Sequence, residues 1–228
     1  MPTPVEKIDD LVEVNNVLIS VSNKDGLDFL VPALLGINPR ARFYASGGTY
    51  KSIQGFLEHP SAQVIRVEDY TGQPETEGGL VKTLDWKVHL GILTEKYNDS
   101  HQRDIQRTES VQFDMVVVNF YPFQDIVSQG ATPEVARITR DIGGPTMVSG
   151  AAKNHIRTAV VVDPIDYTYV VGEMHRNNGR ISFATRFNLG KKAIKIVENY
   201  YRAMREYYEG ISPEVALRGY PEVVRNKK

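Results

Sequence analysis

The run from Asp141 to His155 reads Asp-Ile-Gly-Gly-Pro-Thr-Met-Val-Ser-Gly-Ala-Ala-Lys-Asn-His, a carboxylate before a glycine pair with a Lys-Asn-His cluster behind small residues. Glycines such as Gly143 and Gly144 let backbone approach a ligand closely. Pro145 suits the first turn of a helix, where its missing N–H costs nothing. The free N–H groups of such a turn favour anions. Asp141 and Lys153 together suggest a site where a carboxylate and an ammonium cooperate. The plain alternative is that Asp141 caps the helix and Lys153 answers its dipole.

A second group of residues has phosphate chemistry. Ser46-Gly47-Gly48-Thr49 follows a candidate strand and precedes a candidate helix, so its amides and hydroxyls can surround a phosphate. Ser20 and Ser22 share one face of an extended segment, and Lys24 lies just beyond. An ordinary capped turn would use the same residues. The chain has neither a Walker A loop nor a G-x-G-x-x-G motif. Lys82 and Thr83 follow a glycine-rich loop. Asn119 and Tyr121 close the most apolar run in the chain, and the Tyr121 hydroxyl suits a developing oxyanion or simply plugs a cleft. Asp85, His89 and His155 lack zinc-type spacing, so no metal is expected.

The elements that must position these residues alternate between strands and helices. Strands are expected at 17–21, 42–45, 64–67, within 111–120, and at 158–162. Asn23 to Asp25 should cap a first helix carrying Leu27, Leu30, Val31, Leu34 and Leu35, which Pro32 should kink or divide. A short helix is expected from Tyr50 to Leu57, and another after the Thr132 cap with Pro133 at its first position. Residues 71–81 read as a loop. Residues 182–209 read as a long helix with Phe183, Phe187, Ala193, Ile194, Val197, Tyr201 and Met204 on its apolar side. This alternation argues for an α/β domain with a largely parallel sheet, covering 1–210, followed by a loosely held polar tail over 211–228. In such sheets ligands sit outside the carboxyl ends of the strands.

Composition narrows the function further. A net charge of -1 offers no basic field for nucleic acid, and 41% hydrophobic content suits one well-buried domain. The absence of cysteine excludes disulfides, zinc-thiolate sites and a thiol nucleophile. No run is apolar enough to span a membrane and the first ten residues lack a signal-peptide core, so a soluble cytoplasmic protein is expected. Tyr200, Tyr201, Tyr207 and Tyr208 fit intrachain packing or a homodimer contact.

Taken in order, the segments at 19–24, 46–49, 70–75, 81–84 with 87–89, 117–123, 141–155 and 160–167 resemble the IMP cyclohydrolase family. That domain is the N-terminal half of the bifunctional purine enzyme that also carries AICAR transformylase. The resemblance covers roughly residues 15–205. It implies a methylglyoxal-synthase-like fold of Rossmann type, its sheet flanked by helices with a long C-terminal helix. It also implies closure of FAICAR to IMP with loss of water, in a stand-alone cyclohydrolase that binds a purine ribonucleotide and needs no cofactor. Carried over by position, Lys82, Tyr121, Asp141 and Lys153 are the catalytic residues. Ser20, Ser22, Lys24, Ser46, Gly47, Gly48, Thr49, Thr83, Asn119, Gly143, Gly144 and Asn154 hold substrate or its phosphate. Asn23, Leu80, Asp85, Trp86 and Ser149 depart from the family pattern. A non-catalytic purine-nucleotide-binding module and methylglyoxal synthase are the alternatives on the same fold.

Overall fold

The computed structural model describes residues 4–57, 62–73, 76, 81–121 and 123–224. The chain opens with β1 (Leu11–Glu13), β2 (Asn16–Val21), α1 (Leu27–Ile37), β3 (Arg42–Ala45), α2 (Gly47–Phe56), β4 (Val64–Arg66) and α3 (Val67–Thr71). It continues through α4 (Trp86–Leu93), α5 (Asp99–Arg107), β5 (Met115–Asn119), α6 (Phe123–Ser128), α7 (Pro133–Ile138), α8 (Gly143–Lys153) and β6 (Ala159–Val161). It ends with α9 (Tyr167–Arg176), β7 (Arg180–Ser182), α10 (Phe183–Glu209) and α11 (Pro213–Leu217).

Five strands form an all-parallel sheet in the order β4-β3-β2-β5-β6. The continuous apolar stretches in β2 and β5 follow from burial on both faces. Val17, Ile19, Val21, Met115 and Val117 enter one core with α1 and α9 residues such as Leu30, Leu34 and Val170. Leu18, Val116 and Val118 enter the other with α4 and α8 residues such as Val88, Met147 and Ala151. From β2 the chain goes outward to β3 and β4, then returns to the other side of β2 for β5 and β6. That reversal is a topological switch point at the carboxyl ends of β2 and β5, the place where open α/β sheets bind their ligands. A small antiparallel pair, β1 with β7, stands apart from the main sheet.

Several local expectations are corrected. Helix α1 runs unbroken through Pro32, because burial of Leu27, Leu30, Val31 and Leu34 outweighs one missing hydrogen bond. Its N-cap is Gly26 in the left-handed region, at φ 74°, not Asn23 to Asp25. Helix α10 buries the expected Ala193 and Met204 together with Leu189 and Tyr200, while Ile194 stays 61% exposed and Phe187 and Tyr201 are exposed too. The tail is not loose at its start: α11, capped by Ser212, packs on α7. Among the described residues no helix is long and apolar enough to cross a membrane.

Candidate active site at the carboxyl edge of the sheet

The carboxyl ends of β2, β3 and β5 are tied together by side chains the sequence singled out. The Ser20 and Ser46 hydroxyls are 2.9 Å apart. The Val21 N–H donates to Thr49 Oγ1 at 3.1 Å, so Thr49 is a buried strut between β2 and α2. Across the switch point, Asn119 Oδ1 accepts from the Ser22 and Asn23 N–H groups at 2.7 and 2.9 Å, and its Nδ2 donates to the Asn23 carbonyl. Asn119 therefore shapes the β2 turn, and the exposed Lys24 closes that turn by donating from Nζ to the Ser22 carbonyl.

Helix α2 begins directly after β3. Its N-cap, Ser46, makes no side-chain bond to the first turn because its hydroxyl is turned to Ser20. The N–H groups of Gly47, Gly48 and Thr49 thus stay at the helix end without a side-chain cap, the arrangement that attracts a phosphate. Lys82 joins them: its Nζ lies 3.8 Å from where a Cβ on Gly47 would stand.

Helix α8 starts at the same edge but is organised differently. Asp141 Oδ1 accepts from the Gly144 N–H at 2.9 Å, and Gly143 N–H also faces the carboxylate. The amides of Gly143 and Gly144 face the Asp141 carboxylate. Both glycines are needed for close approach: an added Cβ would stand 2.4 Å from Thr83 Oγ1 at Gly143, and 3.0 Å from Phe120 at Gly144. Thr83 is buried against α8 and so joins the Lys82 segment to the Asp141 turn. Burial pushes the Asp141 carboxyl above the ordinary carboxylate range, and the glycine amides only partly offset it. Its backbone N–H donates to Tyr200 Oη at 2.7 Å, and Tyr200 in turn packs on the Phe120 and Phe123 rings. Tyr121, two residues past the end of β5, is 56% exposed.

Lys153 and Asn154 do not join this group. Helix α8 separates the Asp141 turn from Lys153 by about 15 Å of helical rise, so the expected Asp141–Lys153 pair does not form within one chain. Asn154 is buried at the opposite edge, where its Nδ2 donates to the Ile92 and Thr94 carbonyls. Lys153 lines a cavity of about 350 Å³ between α8 and α10, together with Ser149. The Ser149 departure therefore lies away from the carboxyl edge. Asp85 caps α4 by accepting from Lys87 and Val88 N–H groups, and Leu80 lies outside the described residues. A larger cavity of about 670 Å³, between residues 4–9 and 95–100, is lined by none of the expected site residues. Among the described residues no group of three His, Asp or Glu could hold a metal ion.

Two residues at the edge escaped sequence reading. Tyr200 was visible only as part of a tyrosine-rich string, with no sign that its hydroxyl reaches Asp141. Glu68, at the end of β4, brings Oε1 to 3.8 Å from the same point beside Gly47 that Lys82 approaches.

A model of the MGS-like domain family matches residues 34–146. The fold is that of an MGS-like domain. The matched stretch holds Ser46 to Thr49, Lys82, Asn119, Tyr121 and Asp141, whereas Lys153 and Asn154 fall in the next one. There, residues 151–227 match a model of the AICARFT/IMPCHase bienzyme family. That match points to a function related to purine biosynthesis and is compatible with an enzyme. Among solved structures, "Crystal structure of ForH" is similar to this chain, with a TM-score of 0.73 and 29% identity over 86% of this chain and 99% of that one.

Proposed function

We propose that the carboxyl edge binds a purine ribonucleotide and closes FAICAR to IMP. The observation that carries this reading is the uncapped amino end of α2 with Lys82 beside it. A 5′-phosphate bound there leaves the base to extend across the switch point toward Asp141 and Tyr121.

In the reaction the carboxamide nitrogen attacks the formyl carbon, giving a tetrahedral carbinolamine whose hydroxyl then leaves as water. The amide is a weak nucleophile. Asp141 takes its proton, and a carboxyl raised by burial is a better base than an ordinary one. Lys82 and Tyr121 donate to the formyl-derived oxygen as charge develops and protonate it on departure, while the formamido nitrogen gives up its proton as the ring C=N bond forms. Alignment of two groups already on one ring supplies much of the rest, up to about 7–11 kcal/mol in favourable cases. Lys153 has no part in this single-chain scheme. A homodimer contact at the tyrosine string is not needed for it either.

Purified protein should convert FAICAR to IMP, followed by ultraviolet absorbance, without added folate or metal. A folded protein giving no product above the uncatalysed rate contradicts the reading. IMP binding without turnover would instead select the non-catalytic nucleotide-binding module.

A further inference from the structure

The geometry points to Glu68 as the residue that recognises the ribose of the bound nucleotide, its carboxylate accepting hydrogen bonds from the vicinal 2′- and 3′-hydroxyls. The inference rests on the proposed purine-ribonucleotide site and names a contact within it.

Glu68 sits in the first turn after β4, and β4 is the neighbour of β3, whose end carries the Ser46 to Thr49 turn. Its side chain is only 9% exposed. Neither carboxylate oxygen has a hydrogen-bond partner. Its ion pair with Arg66 Nε is long, at 3.8 Å, and supplies charge balance without a directed bond. A buried carboxylate left without donors is costly, and most buried polar groups do find partners. The donors that would satisfy Glu68 must therefore come from the direction it faces. That direction is set by Gly47: Glu68 Oε1 and Lys82 Nζ both lie 3.8 Å from the point where a Gly47 side chain would begin. Gly47 has no side chain to fill this space, so a ligand can reach the first turn of α2 between a carboxylate and an ammonium.

The chemistry of the two groups divides the ligand. Lys82 and the α2 amides suit an anion; Glu68 repels one and suits neutral donors. On a nucleoside 5′-phosphate the group next to the phosphate is the sugar, and its cis-diol presents two O–H donors to the two oxygens of one carboxylate. The topology agrees. In dinucleotide-binding α/β folds an acidic residue about 20 residues past the glycine turn, on the adjacent strand end, takes a ribose hydroxyl. Glu68 follows Gly48 at that separation.

The test is calorimetric titration of the protein with IMP and with 2′-deoxy-IMP, repeated for Glu68→Ala and Glu68→Gln. Wild type should bind IMP about tenfold or more tightly than 2′-deoxy-IMP, the size expected for a hydrogen bond to a charged acceptor. Glu68→Ala should bring that ratio within twofold of unity by weakening IMP more than 2′-deoxy-IMP, which has only its 3′-hydroxyl contact to lose, with a thermal midpoint no lower than that of wild type. Glu68→Gln, which keeps the shape and an acceptor, should fall between. Equal binding of the two nucleotides by wild type, or an undiminished ratio in Glu68→Ala, overturns the ribose assignment and leaves the proposed function standing. Failure of wild type to bind either nucleotide overturns both.

Discussion

The two edges of the parallel sheet use polar residues in opposite ways. At the amino edge the two buried arginines are committed to the protein. Arg157, 4% exposed, pairs with Asp114 at 3.3 Å and donates to the carbonyls of Thr94, Phe113, Gly91 and Ile92. Asp114 Oδ2 accepts from the Asn15 and Asn16 N–H groups. Arg186, fully buried, donates to five carbonyls, those of Asp9, Asp10, His155, Ile156 and Ile181, and burial lowers its pKa to about 10. At the carboxyl edge the α2 amides have no side-chain cap, the Glu68 carboxylate lacks donors and Asp141 is held in a raised state. One edge is built to be finished by folding; the other has groups that a ligand can satisfy. Polar residues alone do not mark a site; polar residues whose bonding capacity is left over do.

This contrast can be broken most forcefully at the amino edge. Arg157→Ala leaves Asp114 buried without its counter-charge and several carbonyls without donors. Stability should fall by about 3–5 kcal/mol, read from urea unfolding midpoints, as for other buried pairs broken on one side. A loss below 1 kcal/mol would show that the amino edge is not the structural one.

Gly143→Ala tests the other edge through packing. Its new Cβ would stand 2.4 Å from Thr83 Oγ1, so Thr83 and with it the Lys82 segment must shift. The expected cost is about 1–3 kcal/mol of stability with at least a tenfold loss of nucleotide affinity. Unchanged affinity would separate the Asp141 turn from the binding site.

Asp141→Asn should lower turnover by about 10²–10⁴-fold, the usual worth of a positioned base. Its stability effect has the opposite sign. A carboxyl whose folded pKa lies above its ordinary 3.8 stabilises the fold when protonated, and that contribution is lost as pH rises through the raised value. At pH 7 the neutral Asn variant should therefore melt higher than wild type, and the gain should vanish near pH 3.8. A lower melting point at pH 7 would mean that the ionised Asp141 is favourably held.

Smaller effects come from residues one step removed. Tyr200→Phe removes the hydroxyl that accepts from Asp141 N–H at 2.7 Å and keeps the ring packing, so stability should drop by about 0.5–1.5 kcal/mol. Lys153→Ala is the smallest: the affinity for IMP should stay within twofold, because Lys153 is exposed at the far end of α8. A tenfold weakening would bring Lys153 to the site from a second copy of the chain.

The parallel sheet was legible because β2, β3, β5 and β6 are short apolar runs bounded by turn residues. The glycine turns were legible too. What escaped reading was whatever depends on distance along a folded element. Asp141 and Lys153 look like partners in sequence, yet an uninterrupted helix holds them at opposite ends. The polar face of α5 buries nothing, so no apolar period announced it. On α10 the expected Ala193 and Met204 are buried, while the buried Arg186 is a position that no periodicity of apolar residues reports. Asn154 and Asn119 read alike, as candidate ligand amides, yet both bond to backbone and lie at opposite edges of the sheet. Strands β1 and β7, three residues each, are defined by pairing across most of the chain.

Amide hydrogen exchange with and without saturating IMP tests the division between the edges most directly. The account predicts slowed exchange at 47–49 and 81–84, with the amides of 153–158 unchanged. Protection confined to 153–158, or protection at neither edge, would contradict it.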